Sequence, residues 1–432
     1  MFSAAYVTPS GQLREARGKR PLAFHGRSLI PLPDAELIPL PTGAVMSTLP
    51  DRVGLSEAGP LRGAPAAALL PIGYTRTLLP AYEVPSSDFR VPSAAPARGE
   101  MLPLYGYTAV AMCNGQPYVA AMPTDDPAPW QTDDPGYKRL RRLIDRRLSE
   151  LGAENPQPGT RNAEPGTRNS ALLRHLAHCA LVYECHSAQH VFYGQGEGAL
   201  PSSPTCNAAC VGCISDQPDP DIQPHERLAF VPSIEESVDI AVAHLERSPN
   251  AILSFGQGCE GEPLLNSRNV EVVRRVRART ARGVININTN GSRPEMLRRL
   301  IDAGLDSIRV SVFSAREDTF RRYYKPLNYS LAQVRACLSL ASSQGLFTSV
   351  NLLTFPGITD DAAEVAAMVD MLVSSGTELV QLRNLNIDPE ELWPAFGGVS
   401  FEPIGIREMA SRFHAAGLAT GSYTHRKEHS LV

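Results

Sequence analysis

Three cysteines lie within eight residues in the stretch PTCNAACVGC, at Cys206, Cys210 and Cys213. Cysteine thiolates are soft ligands that suit zinc and iron–sulfur clusters. The loop around them is polar and shows no helical or strand periodicity, so three packing cysteines meeting by chance is a poor explanation. A closed zinc site or an electron-transfer cluster needs a fourth ligand, and His225 is the only local candidate. The spacing indicates a metal centre whose fourth ligand is not supplied by the loop.

Composition places the centre in an ordinary globular protein. The chain has 432 residues, enough for two or three domains, and eight cysteines, which in a cytosolic chain are more often metal ligands or packing residues than disulfides. A net charge of −4 and a pI near 6.2 do not suggest a DNA-binding protein. No run approaches the length of a membrane span and no signal peptide is evident, so we expect a cytoplasmic protein without a membrane partner.

The chain divides into four expected regions. Residues 1–136 are rich in proline, with short strands such as YGYTAVAMC and PYVAAM. Residues 137–199 contain a basic amphipathic helix, a flexible loop in which PGTRN occurs twice, and a connector. Residues 200–390 form the core domain, and residues 391–432 form a tail with one helix.

The basic helix carries leucine and isoleucine at helical spacing, with arginines that include Arg141 and Arg146 on its other face. We interpret these arginines as a solvated helix face. The alternative is a non-catalytic zinc or iron–sulfur module that contacts RNA through them.

A unit of helix, glycine and strand recurs through the core domain. Capping boxes open helices at Ser233, Ser330 and Asp361, and glycines such as Gly283 and Gly304 end them. The strands that follow are AILSF, VININ, SIRVSVF, FTSVNLL and ELVQL. This alternation predicts an α/β fold with a parallel sheet, either doubly wound or a full or partial β/α barrel.

Each predicted strand has one apolar face and one polar face. Helices must cover the apolar faces, so the polar faces line a chamber unless that side of the sheet is solvated, which is uncommon for parallel sheets. Ligands of β/α barrels bind at the carboxyl ends of the strands. The chamber-facing residues are Asn286, Asn288, Asn290, Arg309, Ser311, Ser349, Asn351, Gln381 and Arg383.

The C-x3-C-x2-C motif before a β/α repeat resembles the radical S-adenosylmethionine (radical SAM) superfamily. The resemblance implies a partial (β/α)6-type TIM barrel and a four-iron four-sulfur (4Fe-4S) cluster held by Cys206, Cys210 and Cys213. It further implies that the fourth iron stays open and is chelated by the amino and carboxylate groups of S-adenosyl-L-methionine.

The segment CEGEP resembles the glycine-glycine-glutamate segment of that family, which receives the ammonium of S-adenosylmethionine. Gly261 and Glu262 match it, whereas Glu260 stands where the first glycine is expected. A carboxylate at a strand end is a suitable acceptor for an amine. The resemblance also implies cofactor contacts from Asn290, Ser311 and Asn351.

The implied activity is reductive cleavage of S-adenosylmethionine to a 5′-deoxyadenosyl radical, which abstracts hydrogen from an unknown small molecule, peptide or RNA. A reducing partner such as flavodoxin or ferredoxin is implied as well. As substrate contacts we select Asn286, Arg309, Gln381 and Arg383, because a polar chamber suits a polar ligand.

The remaining cysteines have weaker indications. We expect Cys113, Cys179 and Cys185 to be packing or incidental residues. Cys259 lies beside the expected amine-binding turn, where its thiol either packs or takes part in chemistry. The tail after Cys337 has no cysteine, which argues against an auxiliary cluster there.

Overall fold

A computed structural model describes residues 1–84, 105–126, 133–152, 171–217, 224–247 and 250–422. The PGTRN repeat and the last ten residues lie outside these ranges. Within them, no helix is long and apolar enough to cross a membrane.

The N-terminal region is an antiparallel β unit. Its largest sheet runs in the order β10-β14-β13-β1-β9-β6, with β2 beside β1 and β5 beside β14, and two small sheets are formed by β11-β3-β4 and β12-β7-β8. The strands are β1 (Ser3–Val7), β2 (Leu13–Ala16), β3 (Leu22–His25), β4 (Ser28–Pro31), β5 (Leu37–Pro39), β6 (Val45–Thr48), β7 (Val53–Ser56), β8 (Gly59–Pro60), β9 (Ala64–Leu69), β10 (Tyr74–Arg76), β11 (Leu79–Pro80), β12 (Tyr82–Glu83), β13 (Tyr107–Cys113) and β14 (Gln116–Pro123). The two strands quoted in the sequence analysis are β13 and β14. The described residues of the unit also contain twelve further strands that were not predicted individually.

Three helices connect this unit to the core domain: α1 (Lys138–Gly152), α2 (Ala171–Leu181) and α3 (His186–Tyr193). Helix α1 is the predicted basic helix. Leu140 and Ile144 are buried in the main hydrophobic core, while Arg141 and Arg146 are exposed. The arrangement has the apolar and solvated faces that the sequence indicated.

The barrel is a seven-stranded parallel sheet whose spatial order, β15 to β21, is the order along the chain. Its first and last strands lie outside the expected core domain of residues 200–390. This order, with helices between successive strands, is that of an open β/α barrel. The strands are β15 (Glu197–Ala199), β16 (Ile252–Phe255), β17 (Val284–Thr289), β18 (Ser307–Ser311), β19 (Phe347–Thr354), β20 (Leu379–Asn384) and β21 (Ala419–Gly421). The helices are α4 (Ile234–Arg247), α5 (Arg268–Arg279), α6 (Pro294–Ala303), α7 (Glu317–Tyr324), α8 (Leu331–Ser343), α9 (Ala362–Ser374), α10 (Pro389–Ala395) and α11 (Ile406–Ala415). The predicted partial barrel is confirmed.

Local sequence signals set most helix ends of the barrel. Ser330 and Gln333 form the predicted capping box of α8, and Gly304 ends α6 in a left-handed conformation at φ 109°. At α4 only half of the expected box forms: the Ser233 hydroxyl accepts the Glu236 N–H, but the Glu236 carboxylate accepts from Leu173 of α2 instead. Helix α5 ends at Arg279, before the predicted stop at Gly283.

The N-terminal unit packs over the carboxyl ends of β19 and β20. Asn384 Oδ1 accepts hydrogen bonds from Thr75 Oγ1 and from the backbone N–H of Arg76, at 3.0 and 2.9 Å. The fully buried Arg76 guanidinium donates to the carbonyl of Leu385. Near them, Arg52 pairs with Asp388 at 2.6 Å, both buried. These contacts place the β unit over the end of the barrel where ligands bind in this class of fold.

Candidate active site

The cysteine loop follows β15, the first strand of the barrel, and is held by backbone hydrogen bonds to α7. The N–H groups of Ala209 and Val211 donate to the carbonyls of Tyr324 and Tyr323, at 3.0 and 2.9 Å. A Cβ at position 212 would lie 2.7 Å from Leu385 Cδ1 and 2.9 Å from the Tyr323 hydroxyl, so these side chains would have to shift for any residue other than glycine. The loop is therefore closely packed against the barrel.

The three predicted cluster cysteines are half-buried and line one cavity of about 680 Å³. Their three sulfurs do not all lie within 4.8 Å of one another. Two thiolates on one tetrahedral zinc ion are about 3.8 Å apart, given a Zn–S bond of about 2.3 Å. The donor set therefore fits a multi-iron cluster, whose ligands bind separate metals, better than it fits a single ion.

Electrostatics in the loop disfavours three free thiolates. Burial raises the pKa of Cys206, and burial together with the other two cysteines raises the pKa of Cys210 well above its usual value. Arg227 lies beside them, with Nη2 3.5 Å from Cys213 Sγ and Nη1 2.8 Å from Asp216. A metal cluster would supply the positive charge that stabilises the thiolates. Arg227 was not identified from the sequence, because it follows the loop without a motif of its own.

Glu260, which departs from the family pattern, is a buried bridging residue. Its Oε1 accepts from the N–H groups of Gly256 and Gln257 at 2.7 and 2.9 Å. Its Oε2 accepts from the N–H groups of Ser202 and Ser203 at 2.7 and 2.8 Å. Burial raises the pKa of Glu260, although all four hydrogen bonds favour the charged form. The side chain ties the turn after β16 to the start of the cysteine loop.

Gly261 brings the same turn into contact with the cysteine loop. A Cβ at this position would lie 2.1 Å from the carbonyl oxygen of Thr205. The Gly261 N–H donates to Ser203 at 2.7 Å, and the Glu262 N–H donates to Thr205 at 2.8 Å. Only glycine allows the backbone at position 261 to come this close to Thr205. The contact with the residue before Cys206 therefore explains why position 261 is glycine.

Glu262 is a buried carboxylate on the wall of the cavity. It accepts from Thr289 Oγ1 at 2.5 Å, from the Leu264 N–H at 2.9 Å and from the Asn290 N–H at 2.7 Å. Burial raises its pKa to about 7, against the lowering effect of these hydrogen bonds. A cationic group in the cavity could donate hydrogen bonds to this carboxylate. The carboxylate is already removed from water in the folded protein, so binding would not add that cost.

The other predicted cofactor contacts also line the cavity. Asn290 is fixed in place, because Nδ2 donates to Asn207 at 2.8 Å and Oδ1 accepts from the Ser292 N–H at 3.0 Å. Ser311 and Asn351 are adjacent in the register of β18 and β19. Asn351 Oδ1 is buried without a hydrogen-bond partner among the described residues. A buried acceptor of this kind favours a ligand that donates to it.

The predicted substrate contacts divide into two groups. Arg309 and Arg383 line the cavity, whereas Asn286 and Gln381 are fully buried among barrel side chains. Arg309 donates to Glu197 and to Gln381, both at 3.1 Å. Asn286 bonds to Ser254 and Ser307 at 3.0 and 2.8 Å. The chamber is therefore polar, but part of its polarity is internally satisfied.

Three of the remaining polar side chains also converge. His175 and Cys179 on α2 meet Cys259 in the turn after β16, with their ligand atoms within 4.8 Å of one another. The sequence places His175 and Cys179 four residues apart, a spacing that shares one helix face. That spacing was the available signal for this group, but the approach of Cys259 depends on the fold.

Comparisons with known proteins agree with this geometry. Residues 200–369 match the family profile described as the Radical SAM superfamily. The match lies inside the predicted core domain of residues 200–390, and the predicted radical SAM domain is confirmed there.

Two curated relatives bear the name GTP 3′,8-cyclase. The protein of Streptomyces coelicolor is 28% identical over 218 residues, covering 48% of this chain and 58% of the relative. The protein of Lactiplantibacillus plantarum is 29% identical over 159 residues, covering 36% and 45%. The chain thus spans about half the length of the curated relatives it matches. Among solved structures, Streptococcus suis SuiB bound to precursor peptide SuiA has a TM-score of 0.37 at 9% identity, over 66% of this chain and 61% of its own.

Proposed function

We propose that this protein binds a 4Fe-4S cluster through Cys206, Cys210 and Cys213 and cleaves S-adenosylmethionine reductively. When bound, the cluster and S-adenosylmethionine would supply a one-electron reduction that yields methionine and a 5′-deoxyadenosyl radical able to abstract hydrogen from a substrate. The observation that carries the proposal is the single cavity that the three cysteines and the buried Glu262 line together.

The chain's own residues would bind, orient and shield. Glu262 would accept the ammonium of S-adenosylmethionine, and Asn351 Oδ1 would accept from a further donor of the same ligand. Asn290 would hold Glu262 in position through its backbone N–H. The β unit packed over the strand ends would exclude water and stray hydrogen donors from the cavity.

The substrate is proposed to carry an anionic group. Arg383 lines the cavity at the end of β20, and its Nε donates to the Ser422 carbonyl at 3.1 Å, which orients the guanidinium. A guanidinium can bind a carboxylate or a phosphate bidentately. GTP, after which both curated relatives are named, is therefore the first substrate to assay. A one-electron donor of the flavodoxin or ferredoxin class is the proposed reducing partner.

The test is anaerobic reconstitution of the full chain with iron and sulfide, followed by reduction in the presence of S-adenosylmethionine. We expect a brown protein that forms 5′-deoxyadenosine and methionine, and a Cys213→Ala variant that forms neither. Cys113→Ala is the matched control, since Cys113 lies on β13 in the N-terminal sheet. A colourless protein that holds zinc through Cys206, Cys210 and Cys213 would overturn the proposal and favour the RNA-binding alternative.

A further inference from the structure

A second group of ligand atoms lies beside the cavity, separate from the cysteine loop. His175 Nε2 is 3.3 Å from Cys259 Sγ and 3.5 Å from Cys179 Sγ. All three atoms lie within 4.8 Å of one another. The same imidazole nitrogen is close to both sulfurs, so a single ion could contact all three atoms.

These separations are those of ligands on one tetrahedral ion. With bonds of about 2.3 Å to sulfur and about 2.0 Å to nitrogen, tetrahedral angles place a sulfur and a nitrogen about 3.5 Å apart. The two sulfur–nitrogen distances in the structure, 3.3 and 3.5 Å, are close to that separation. A thiolate pair with one imidazole is a donor set that suits zinc.

The fold holds the three ligands on two separate supports. His175 and Cys179 occupy one face of α2, and Cys259 lies in the turn that also carries Glu260 and Gly261. The Cys259 carbonyl is fixed by the Leu228 N–H at 2.7 Å. Cys179 and Cys259 are 2% and 6% exposed, so bulk water does not compete for their sulfurs. Both ligand supports are thus in place before any ion binds.

We propose that His175 Nε2, Cys179 Sγ and Cys259 Sγ bind one zinc ion, with water in a fourth position that faces the cavity. Cys179 and Cys259 both line that cavity, which is why the fourth position is proposed on that side. Three protein ligands with water in the fourth place is the pattern of zinc ions that bind or activate a ligand, whereas purely structural ions take four protein ligands. The proposal does not depend on cluster binding by the cysteine loop.

The test uses the full chain with the loop cysteines removed as Cys206→Ala, Cys210→Ala and Cys213→Ala together. After treatment with a chelator, this variant is titrated with Co²⁺ and, separately, with Zn²⁺ alone. We expect one ion per chain, with thiolate-to-cobalt charge-transfer absorption and the intense visible bands of a tetrahedral ion. Adding Cys179→Ser and Cys259→Ser should abolish both signals, whereas adding Cys113→Ser should leave them unchanged.

A second measurement covers the case in which the loop variant does not fold. Wild-type chain reconstituted with iron and sulfide is then analysed for zinc by elemental mass spectrometry, beside His175→Ala and Cys113→Ser. One zinc per chain in the wild type and in Cys113→Ser, with at least a tenfold loss in His175→Ala, supports the site. Equal zinc in all three proteins overturns it. Formation of 5′-deoxyadenosine is not part of either readout, so failure here is distinct from failure of the proposed function.

Discussion

Glu260 accepts a hydrogen bond of 2.7 Å from the backbone N–H of Ser202, and this bond joins the turn after β16 to the first residues of the cysteine loop. Glu260→Gln replaces one carboxylate oxygen with an NH2 group. The backbone N–H groups that donate to that oxygen would then face another donor. Leaving buried donors unsatisfied should lower the free energy of unfolding by about 1–3 kcal/mol. Urea unfolding checks this, with the exposed Glu402→Gln as the control, expected to change it by less than about 0.5 kcal/mol. Equal stability of the two variants would contradict a bridging role.

Glu262 should make the binding of S-adenosylmethionine depend on pH. Burial raises its pKa to about 7, so the carboxylate is protonated at lower pH and ionises as the pH rises through that value. Only the ionised form accepts an ammonium as a charged partner. The dissociation constant should therefore rise by up to about tenfold for each pH unit below about 7. Equilibrium dialysis with reconstituted, unreduced protein measures this.

Glu262→Gln is the control for the pH effect. The variant keeps nearly the same shape but has no titratable group, so its affinity should be weak and flat across the same range. If the variant shows the wild-type pH profile, another group titrates and the assignment of Glu262 is wrong.

Gly261→Ala should displace the cysteine loop. The added methyl would meet the Thr205 carbonyl oxygen at 2.1 Å, so one of the two segments must move. Forced shifts of this kind typically cost about 1–3 kcal/mol. We expect a lower iron content after reconstitution, measured by colorimetric iron assay. Gly397→Ala is the matched control, because its nearest contact would be the Pro394 carbonyl at 3.6 Å, and wild-type iron content in both variants would argue against the prediction.

Asn351 and Asn290 should respond differently to replacement by leucine. Asn351 Oδ1 has no partner among the described residues, so Asn351→Leu should weaken S-adenosylmethionine binding without lowering the melting temperature. Asn290→Leu removes its side-chain bonds to Asn207 and Ser292, and should cost about 1–3 kcal/mol of stability as well. Thermal unfolding and dialysis together separate the two effects. A melting temperature for Asn351→Leu as low as that for Asn290→Leu would show that Asn351 is structural.

Much of the barrel could be predicted because its signals are local. A capping box at Ser330 and a left-handed glycine at Gly304 fix helix ends within a few residues of sequence, and the strands between such ends follow. The cysteine motif is local in the same way. Glu236 shows the limit: its type fits a capping box, but its carboxylate binds Leu173, which is distant in the sequence.

The parts that sequence reasoning missed depend on distant segments meeting. Glu260 looked like a departure from a motif, and its role appears only when Ser202 and Ser203 are placed beside it. Arg309 and Gln381 were selected as substrate contacts from strand polarity, but polarity alone does not tell which side chains bond to each other. Whether they also contact a substrate stays a prediction.

The packing of Arg76 and Arg52 against the barrel has a consequence for how the protein unfolds. Removing the N-terminal unit would take the guanidinium of Arg52 from the buried Asp388 and that of Arg76 from the Leu385 carbonyl. Breaking a buried ion pair by losing one partner typically costs about 3–5 kcal/mol. We therefore expect the barrel and the β unit to unfold together, and a fragment limited to residues 200–390 to be a poor substitute for the whole chain.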